Sequence, residues 1–171
     1  MGVRTRLVGE VVMSKRCEIM FVSSAGGHLA QLLRLQEGFD GAKGVVVTER
    51  TPASAGLGEE LQSLVLFLPH GGREAPVSFV WKFSWNVIIS AVRLLWLRPA
   101  VVISTGAHTA VPTCMIGKLF GAKVIYIESF ARIRSPSLTG RILYPIVDRF
   151  YVQWPELKQV YKRARYEGKL Y

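Results

Sequence analysis

Twice in this chain an apolar run ends in a turn bearing glycine and histidine, then gives way to a helical pattern. Cys17 to Val22 leads through Ser23-Ser24-Ala25-Gly26-Gly27-His28 into a helix beginning near Leu29. Ala100 to Ile103 leads through Ser104-Thr105-Gly106-Ala107-His108-Thr109 into another. Adjacent glycines let the backbone approach a ligand closely, and the free N–H groups and positive dipole end of the following helix favour an anionic guest, a phosphate above all. Gly26-Gly27 alone suits a plain tight turn equally well; a second such turn at an equivalent place favours a site. Neither turn is G-x-G-x-x-G, and neither carries the Lys-Ser/Thr of a P-loop.

The rest of the chain keeps the same alternation. Lys43–Thr48, with its β-branched run Val45-Val46-Val47, and Leu64–Leu68 read as the second and third strands, and 122–127 and 149–153 as the fifth and sixth. Helices are expected over about 28–37, 59–63, 76–97, 110–120, 136–146 and 155–166. Strands alternating with helices imply an α/β fold, a Rossmann-like parallel sheet with helices on both faces. The strand order 3-2-1-4-5-6 sets strands one and four side by side at the switch point where such sheets bind ligands. Both glycine-histidine turns follow those two strands.

Half of the 171 residues are apolar, enough for a sizeable core, and the net charge of +10 points to an anionic partner. Nucleic acid is disfavoured because the basic residues lack aromatic interleaving or any recognised motif, which leaves an acidic membrane surface or a phosphorylated substrate. Cys17 and Cys114 each lie in an apolar segment without C-x-x-C spacing and read as buried thiols. Metal-ligand spacing is absent, and no cofactor is implied. Residues 1–16 carry Arg4, Arg6, Lys15 and Arg16, but Gly9 and Glu10 break their apolar stretch, so they read as a poorly ordered extension and not a signal peptide. Translation from Met13 would remove most of it, and the domain itself is expected over 17–171.

The most apolar segment is 79–97, interrupted by Lys82 and Arg93 with only ten uncharged residues between them, too few to span a bilayer. On a helical wheel Lys82, Asn86, Ser90 and Arg93 form one polar stripe, while Trp81, Trp85 and Trp96 lie among the apolar residues around the rest. One sheet cannot cover so wide a surface. Either another helix completes a fully covered core helix, or the segment dips into a bilayer interface, aided by the basic residues Lys158, Lys162, Arg163, Arg165 and Lys169.

Three further stretches carry a family resemblance: Ile127-Glu128-Ser129-Phe130-Ala131-Arg132, Ser135-Pro136-Ser137-Leu138-Thr139-Gly140-Arg141, and Asp148-Arg149-Phe150-Tyr151-Val152-Gln153-Trp154-Pro155. Together with Ser24-Ala25-Gly26-Gly27-His28, they make Cys17 to Leu157 resemble the membrane-associated, acceptor-side subunit of the bipartite UDP-GlcNAc transferase of dolichol-linked oligosaccharide synthesis, and its bacterial PssD-type relatives. More distantly the pattern is similar to the N-terminal domain of the peptidoglycan N-acetylglucosaminyltransferase. Eukaryotic members carry an N-terminal membrane-spanning helix, and none is expected in this sequence, so membrane association is expected to rest on 79–97 and the basic residues. The chain also has Gly-Ala-His-Thr at 106–109, where relatives often have Gly-Pro-Gly-Thr.

The resemblance implies half of an inverting GT-B glycosyltransferase, equivalent to the N-terminal domain. It would lie at the cytoplasmic face of a membrane, bind a lipid-diphosphate-linked acceptor, and rely on a second chain that holds the UDP-sugar. His28 or Glu128 is then the base that takes the acceptor hydroxyl's proton; the helix start at His28 favours a neutral ring, and the sequence does not separate the two. Ser24, Gly26, Gly27, Gly106 and Thr109 would face the acceptor phosphates, with Arg132 or Arg134 as a clamp. Gln153, Trp154 and Pro155 would line the inter-subunit cleft. The competing readings are a non-catalytic membrane tether and an NAD-binding protein using Glu49 at the end of the second strand.

Overall fold

β1 (Ile19–Ser23) is a continuous apolar run because the sheet is covered on both faces. Side chains alternate across a strand, so Met20 and Val22 enter one apolar cluster and Phe21 the other. The same division repeats in β2 (Gly44–Glu49), where Val45 and Val47 part from Val46, and in β4 (Val101–Gly106), where Val102 parts from Ile103. With β3 (Leu64–Leu68), β5 (Lys123–Ile127), β6 (Arg149–Val152) and β7 (Arg165–Tyr166), these strands make a seven-stranded parallel sheet of order β3-β2-β1-β4-β5-β6-β7. The expected order is thus observed, with one strand added at the edge. This computed structural model describes residues 17–39, 44–61, 64–68 and 76–170. The extension 1–16, with the alternative start at Met13, lies outside the described residues, as do the side chains of Glu60 and of 76–83, Trp81 and Lys82 included.

α1 (Gly27–Gln36) and the single turn α2 (Leu57–Glu60) cover one face, packing Leu29, Leu32 and Leu57 on Phe21, Val46 and Ile103. On the other face lie α3 (Pro76–Leu97), α4 (Ala110–Leu119) and α5 (Leu138–Leu143), which contribute Leu94, Leu97, Cys114 and Leu143. Tyr126, Tyr144, Phe150 and Tyr161 form an aromatic group beside α5 with ring centroids 4.5–5.1 Å apart. Both cysteines are free and buried, and loss of hydration raises the Cys17 thiol to about 11 and the Cys114 thiol to about 12.

α3 turns Asn86, Ser90 and Arg93 of its polar stripe inward. Asn86 and Ser90 are each 2% exposed, the Ser90 hydroxyl lies 3.0 Å from that of Thr113 on α4, and Arg93 Nη2 donates to the Phe67 carbonyl at 2.8 Å. Trp85, Ile88, Val92, Leu95 and Trp96 consequently point outward, each at least half exposed. The fully covered core helix is therefore not what forms: the hydroxyl pairing and the Arg93 bond fix the rotation of the helix, and its apolar side is left uncovered.

The expected basic helix over 155–166 is also corrected. Pro155–Gln159 is a short 3-10 turn, after which the chain extends to pair Arg165 and Tyr166 with Tyr151 and Val152. Leu157, Tyr161 and Ala164 are buried at spacings that mimic a helix. The chain meets that requirement by turning, which brings the Tyr161 hydroxyl to Glu128 and frees the sheet edge for β7. The expected helix over 136–146 is shorter than read, since Ser137 caps it and Pro145 cannot donate to it.

Asp148 joins α4 to the start of β6: Oδ1 accepts from Lys118 Nζ at 2.7 Å and Oδ2 from the Val124 N–H at 2.9 Å. The Lys118 hydrogen bond, then that from Val124, holds the Asp148 carboxyl at about 2, below its ordinary 3.8. Because the folded-state value is depressed, this stabilisation is full above the unfolded value and disappears as pH falls from about 4 to about 2. Asp148→Asn is expected to lower stability at pH 7 by about 1–2 kcal/mol and to shrink that acid-dependent loss, as read by urea unfolding across the window.

Candidate functional site

The parallel pairing of β1 with β4 brings together two turns some eighty residues apart in sequence. Four hydrogen bonds join them. The Ser24 N–H donates to the Gly106 carbonyl at 3.0 Å, and the Ala107 N–H donates to Ser24 Oγ at 3.3 Å. Thr105 Oγ1 donates to the His28 carbonyl at 2.7 Å, and His28 Nδ1 lies 2.8 Å from the Thr105 carbonyl. Gly26 at φ +82° and Gly106 at φ +100° supply conformations that L side chains rarely adopt. A Cβ on Gly106 would in addition sit 3.2 Å from His28 Nδ1 and 3.3 Å from the Tyr126 hydroxyl.

The contact at His28 has a chemical consequence. A carbonyl oxygen only accepts, so Nδ1 carries the proton and donates, and in the neutral ring Nε2 holds the lone pair. The ring is half-buried, and Nε2 has no hydrogen-bond partner among the described residues. Gly26 and Gly27 beside it are exposed. Thr109, wholly buried at the N-cap of α4, makes no side-chain cap bond, and its hydroxyl finds no partner among the described residues. This end of the sheet thus presents one imidazole acceptor and two helix starts.

Glu128 lies deeper. It is 0% exposed; Oε1 accepts from the Ser129 N–H at 2.9 Å, and Oε2 accepts from the Ser137 N–H at 3.1 Å, Ser137 Oγ at 3.0 Å and the Tyr161 hydroxyl at 3.1 Å. A Cβ on Gly140, in the first turn of α5, would collide with Oε2. The carboxylate therefore faces the Ser129, Ser137 and Tyr161 donors and packed backbone, with the Tyr126 hydroxyl 3.5 Å from Oε1, and it is buried whereas Gly26 and Gly27 are exposed. Burial and the neighbouring Glu128 charge raise the Tyr126 and Tyr161 hydroxyls above their ordinary value, so both remain donors.

The segment after Glu128 carries Arg132 and Arg134, both exposed. Its start is tied to α1 by the Phe130 N–H donating to Gln31 Oε1 at 3.3 Å, and to Trp154 by Nε1 donating to the Phe130 carbonyl at 2.7 Å. Gln153, 2% exposed, points inward: Nε2 donates to Gln31 Oε1 at 2.8 Å and to the Glu128 carbonyl at 3.0 Å, while Oε1 accepts from the Leu170 N–H at 3.0 Å. Trp154 is covered by Lys169, whose Nζ lies 3.8 Å from the ring centroid, and Pro155 is exposed at the start of the 3-10 turn. Glu49 is 2% exposed and faces His108, with Oε1 3.9 Å from Nε2. No group of three or more His, Cys, Asp or Glu among the described residues is arranged to hold a metal ion.

Sequence reasoning did not single out Thr105, Gln31, Tyr126, Ser137, Gly140 or Tyr161. The spacing Ser137-Leu138-Thr139-Gly140 after Pro136 was an available signal for a helix start at Ser137. Nothing local marks Gln31, a polar residue among leucines.

Comparison with known proteins now decides the family. Residues 72–170 match the family described as "Oligosaccharide biosynthesis protein Alg14 like". The UDP-N-acetylglucosamine transferase subunit ALG14 of Candida albicans is 32% identical over 171 aligned residues, covering 90% of this chain and 78% of that protein. The chain belongs to the Alg14 family. The human protein of the same name is 26% identical, over 94% of this chain and 86% of its own. That of Schizosaccharomyces pombe is 45% identical over a shorter span, 49% of this chain and 44% of that protein. Among solved structures, MurG of Acinetobacter baumannii superposes with a TM-score of 0.67 at 16% identity, over 81% of this chain and 42% of that one. The UDP-N-acetylglucosamine 2-epimerase of Rickettsia bellii gives 0.70 at 12% identity, over 91% and 45%. These likenesses bear out the expected fold, a Rossmann-like lobe of GT-B type, and this Alg14-family chain spans less than half of each.

Glycine substitutions grade the site. Gly27→Ala meets open space at an ordinary φ and is expected to be near neutral, whereas Gly26→Ala carries backbone strain of about 1–3 kcal/mol. Gly106→Ala adds contact with the His28 ring to similar strain and is expected to be the most destabilising of the three in urea unfolding.

Proposed function

We propose that this chain is the acceptor-binding, membrane-associating subunit of a two-chain inverting glycosyltransferase. It would move a sugar from a UDP-sugar to a lipid-diphosphate-linked saccharide in glycan or polysaccharide biosynthesis, the setting suggested by the resemblance to PssD-type proteins. The observation that carries the reading is the fixed tautomer of His28, whose Nε2 lone pair stands at the end of β1 among exposed glycine backbone. Its relatives' names support the donor class, since they are called UDP-N-acetylglucosamine transferase subunits. The word subunit in those names supports a partner chain, to which this reading gives the nucleotide.

In the reaction His28 Nε2 takes the proton of the acceptor hydroxyl as its oxygen attacks the donor's anomeric carbon. The bond from that carbon to the diphosphate breaks on the opposite side, the electron pair leaves with UDP, and the configuration inverts. Backbone N–H groups at Gly26 and Gly27 are the proposed hold for the acceptor phosphates, with Arg132 and Arg134 supplying positive charge. The Gly106 N–H donates instead to Ser104 Oγ at 3.1 Å, and Ser24 and Thr109 are buried, which sets these three back from the surface.

The outward apolar side of α3 supports association with a membrane surface at its cytoplasmic face, the net charge of +10 favouring anionic lipid. Leu119 and Phe120 of the neighbouring α4 segment are exposed as well. No helix among the described residues is long and apolar enough to cross a membrane; the association proposed is interfacial, by the exposed Trp85, Ile88, Val92, Leu95 and Trp96. The same outward face is what a purely tethering subunit would need, which makes that the second reading.

The test uses membranes containing this chain alone, a candidate partner alone, or both, supplied with labelled UDP-sugars and a lipid extract. Labelled lipid is expected only with both chains, and His28→Ala is expected to cut turnover by on the order of 10²–10⁴-fold while the chains stay associated. Product from the partner alone would make this chain a tether and remove the role of His28.

A further inference from the structure

Glu128 is a wholly buried carboxylate, and its surroundings are built to receive it. Ser129 and Ser137, which follow Glu128 and close the loop between β5 and α5, both donate backbone N–H groups to the same side chain. Ser137 adds its hydroxyl at 3.0 Å, and that hydroxyl in turn accepts from the Gly140 N–H at 2.8 Å as the N-cap of α5. Tyr161 donates from the far side, and Gly140 leaves the space that Oε2 fills. One carboxylate therefore closes the loop at both ends. Between them the chain exposes Arg132, Ile133 and Arg134, and the loop's start is tied through Phe130 to Gln31, one helical turn beyond His28 on α1.

We propose that Glu128 is a positioning residue that, by closing the 129–137 loop, holds Arg132 and Arg134 beside the His28 turn to receive the diphosphate of the acceptor. The proposal rests on the acceptor-side reading above. An exposed arginine on a free loop loses side-chain and backbone entropy whenever it clamps an anion; a loop already closed by three charge-assisted hydrogen bonds, from Ser129 and Ser137, has lost the backbone part beforehand. Glu128 thus acts on ligand affinity through the two arginines, and on the proton transfer not at all.

The test uses the full chain with inorganic pyrophosphate as the probe, by calorimetric titration of four proteins: wild type, Glu128→Gln, Arg132→Ala with Arg134→Ala, and the triple variant. Glu128→Gln turns an acceptor oxygen into an NH₂ group facing donors and is expected to weaken binding by about tenfold. Without the two arginines, the same change is expected to cost less than about twofold, since the group it acts through is gone. Tyr161→Phe, which keeps the carboxylate and removes one donor, is expected to give a smaller loss of about threefold, and it keeps the test open should Glu128→Gln fold poorly. In the two-chain transfer assay Glu128→Gln is expected to raise the KM for the lipid acceptor while kcat and its pH profile stay within about threefold of wild type.

An unchanged pyrophosphate affinity, or a loss of the same size with and without the arginines, would overturn the proposal. So would a fall in kcat at unchanged KM with the acidic limb of the pH profile abolished, because Glu128 would then be the base. If the coupling holds while the two chains together transfer no sugar, the transferase reading fails and the positioning role of Glu128 stands.

Discussion

The pairing of β1 with β4 is the interaction on which the site depends. It places the Ser24 and Gly106 backbones in hydrogen-bonding range and hands the Thr105 carbonyl to His28 Nδ1. The imidazole is then held in one tautomer by backbone, which no surface rearrangement easily undoes. Thr105 closes the circuit by donating its hydroxyl back to the His28 carbonyl. Gly106 is required at this junction because the space a Cβ would take is occupied by the His28 ring and the Tyr126 hydroxyl. A switch point between parallel strands gives such a site two helix starts and two glycine turns without any dedicated scaffold.

Tyr126 links this junction to a second one. Its hydroxyl lies against Gly106 on one side and, on the other, 3.4 Å from Ser137 Oγ and 3.5 Å from Glu128 Oε1. The two carboxylate and imidazole groups that the sequence offers for one task are thereby given different environments. His28 keeps a lone pair toward the exposed glycine turn, while Glu128 exhausts its acceptor capacity on Ser129, Ser137 and Tyr161. Burying a carboxylate is costly unless its lone pairs are filled, and the glycine at 140, the cap at Ser137 and the turn that delivers Tyr161 are what fill them. On the same face of the sheet, α3 follows a complementary rule: Ser90 and Arg93 bond inside, to Thr113 and the Phe67 carbonyl, and Trp85, Ile88, Val92, Leu95 and Trp96 are left outside.

Much of the fold was legible because both signals it needs are local. Val45-Val46-Val47 reads as a strand covered on two faces, and the glycine turns mark the ends of β1 and β4; from these the sheet order follows by rule. His28 was legible for the same reason, as a histidine at a strand-to-helix turn. The rest was decided at a distance. Leu157, Tyr161 and Ala164 have a helix's spacing, and only the presence of Glu128 and the free edge of β6 tells the segment to turn instead. The wheel of α3 gave a polar stripe but not its direction, because that is set by the partners of Ser90 and Arg93 in α4 and β3. Glu128 and His28 could not be ranked as bases in sequence, since their difference is one of burial and of which donors surround them.

The tautomer of His28 is the most direct measure of this account. Long-range ¹H–¹⁵N correlation spectra of the ring, recorded on the full chain at a pH where the imidazole is neutral, separate a protonated nitrogen from one bearing a lone pair. The account predicts a protonated Nδ1 and an unprotonated Nε2, with Thr105→Ala leaving that pattern in place because the carbonyl and not the hydroxyl fixes it. A ring protonated at Nε2, or one exchanging freely between the two forms, would contradict it and leave the chain without a positioned base at the end of β1.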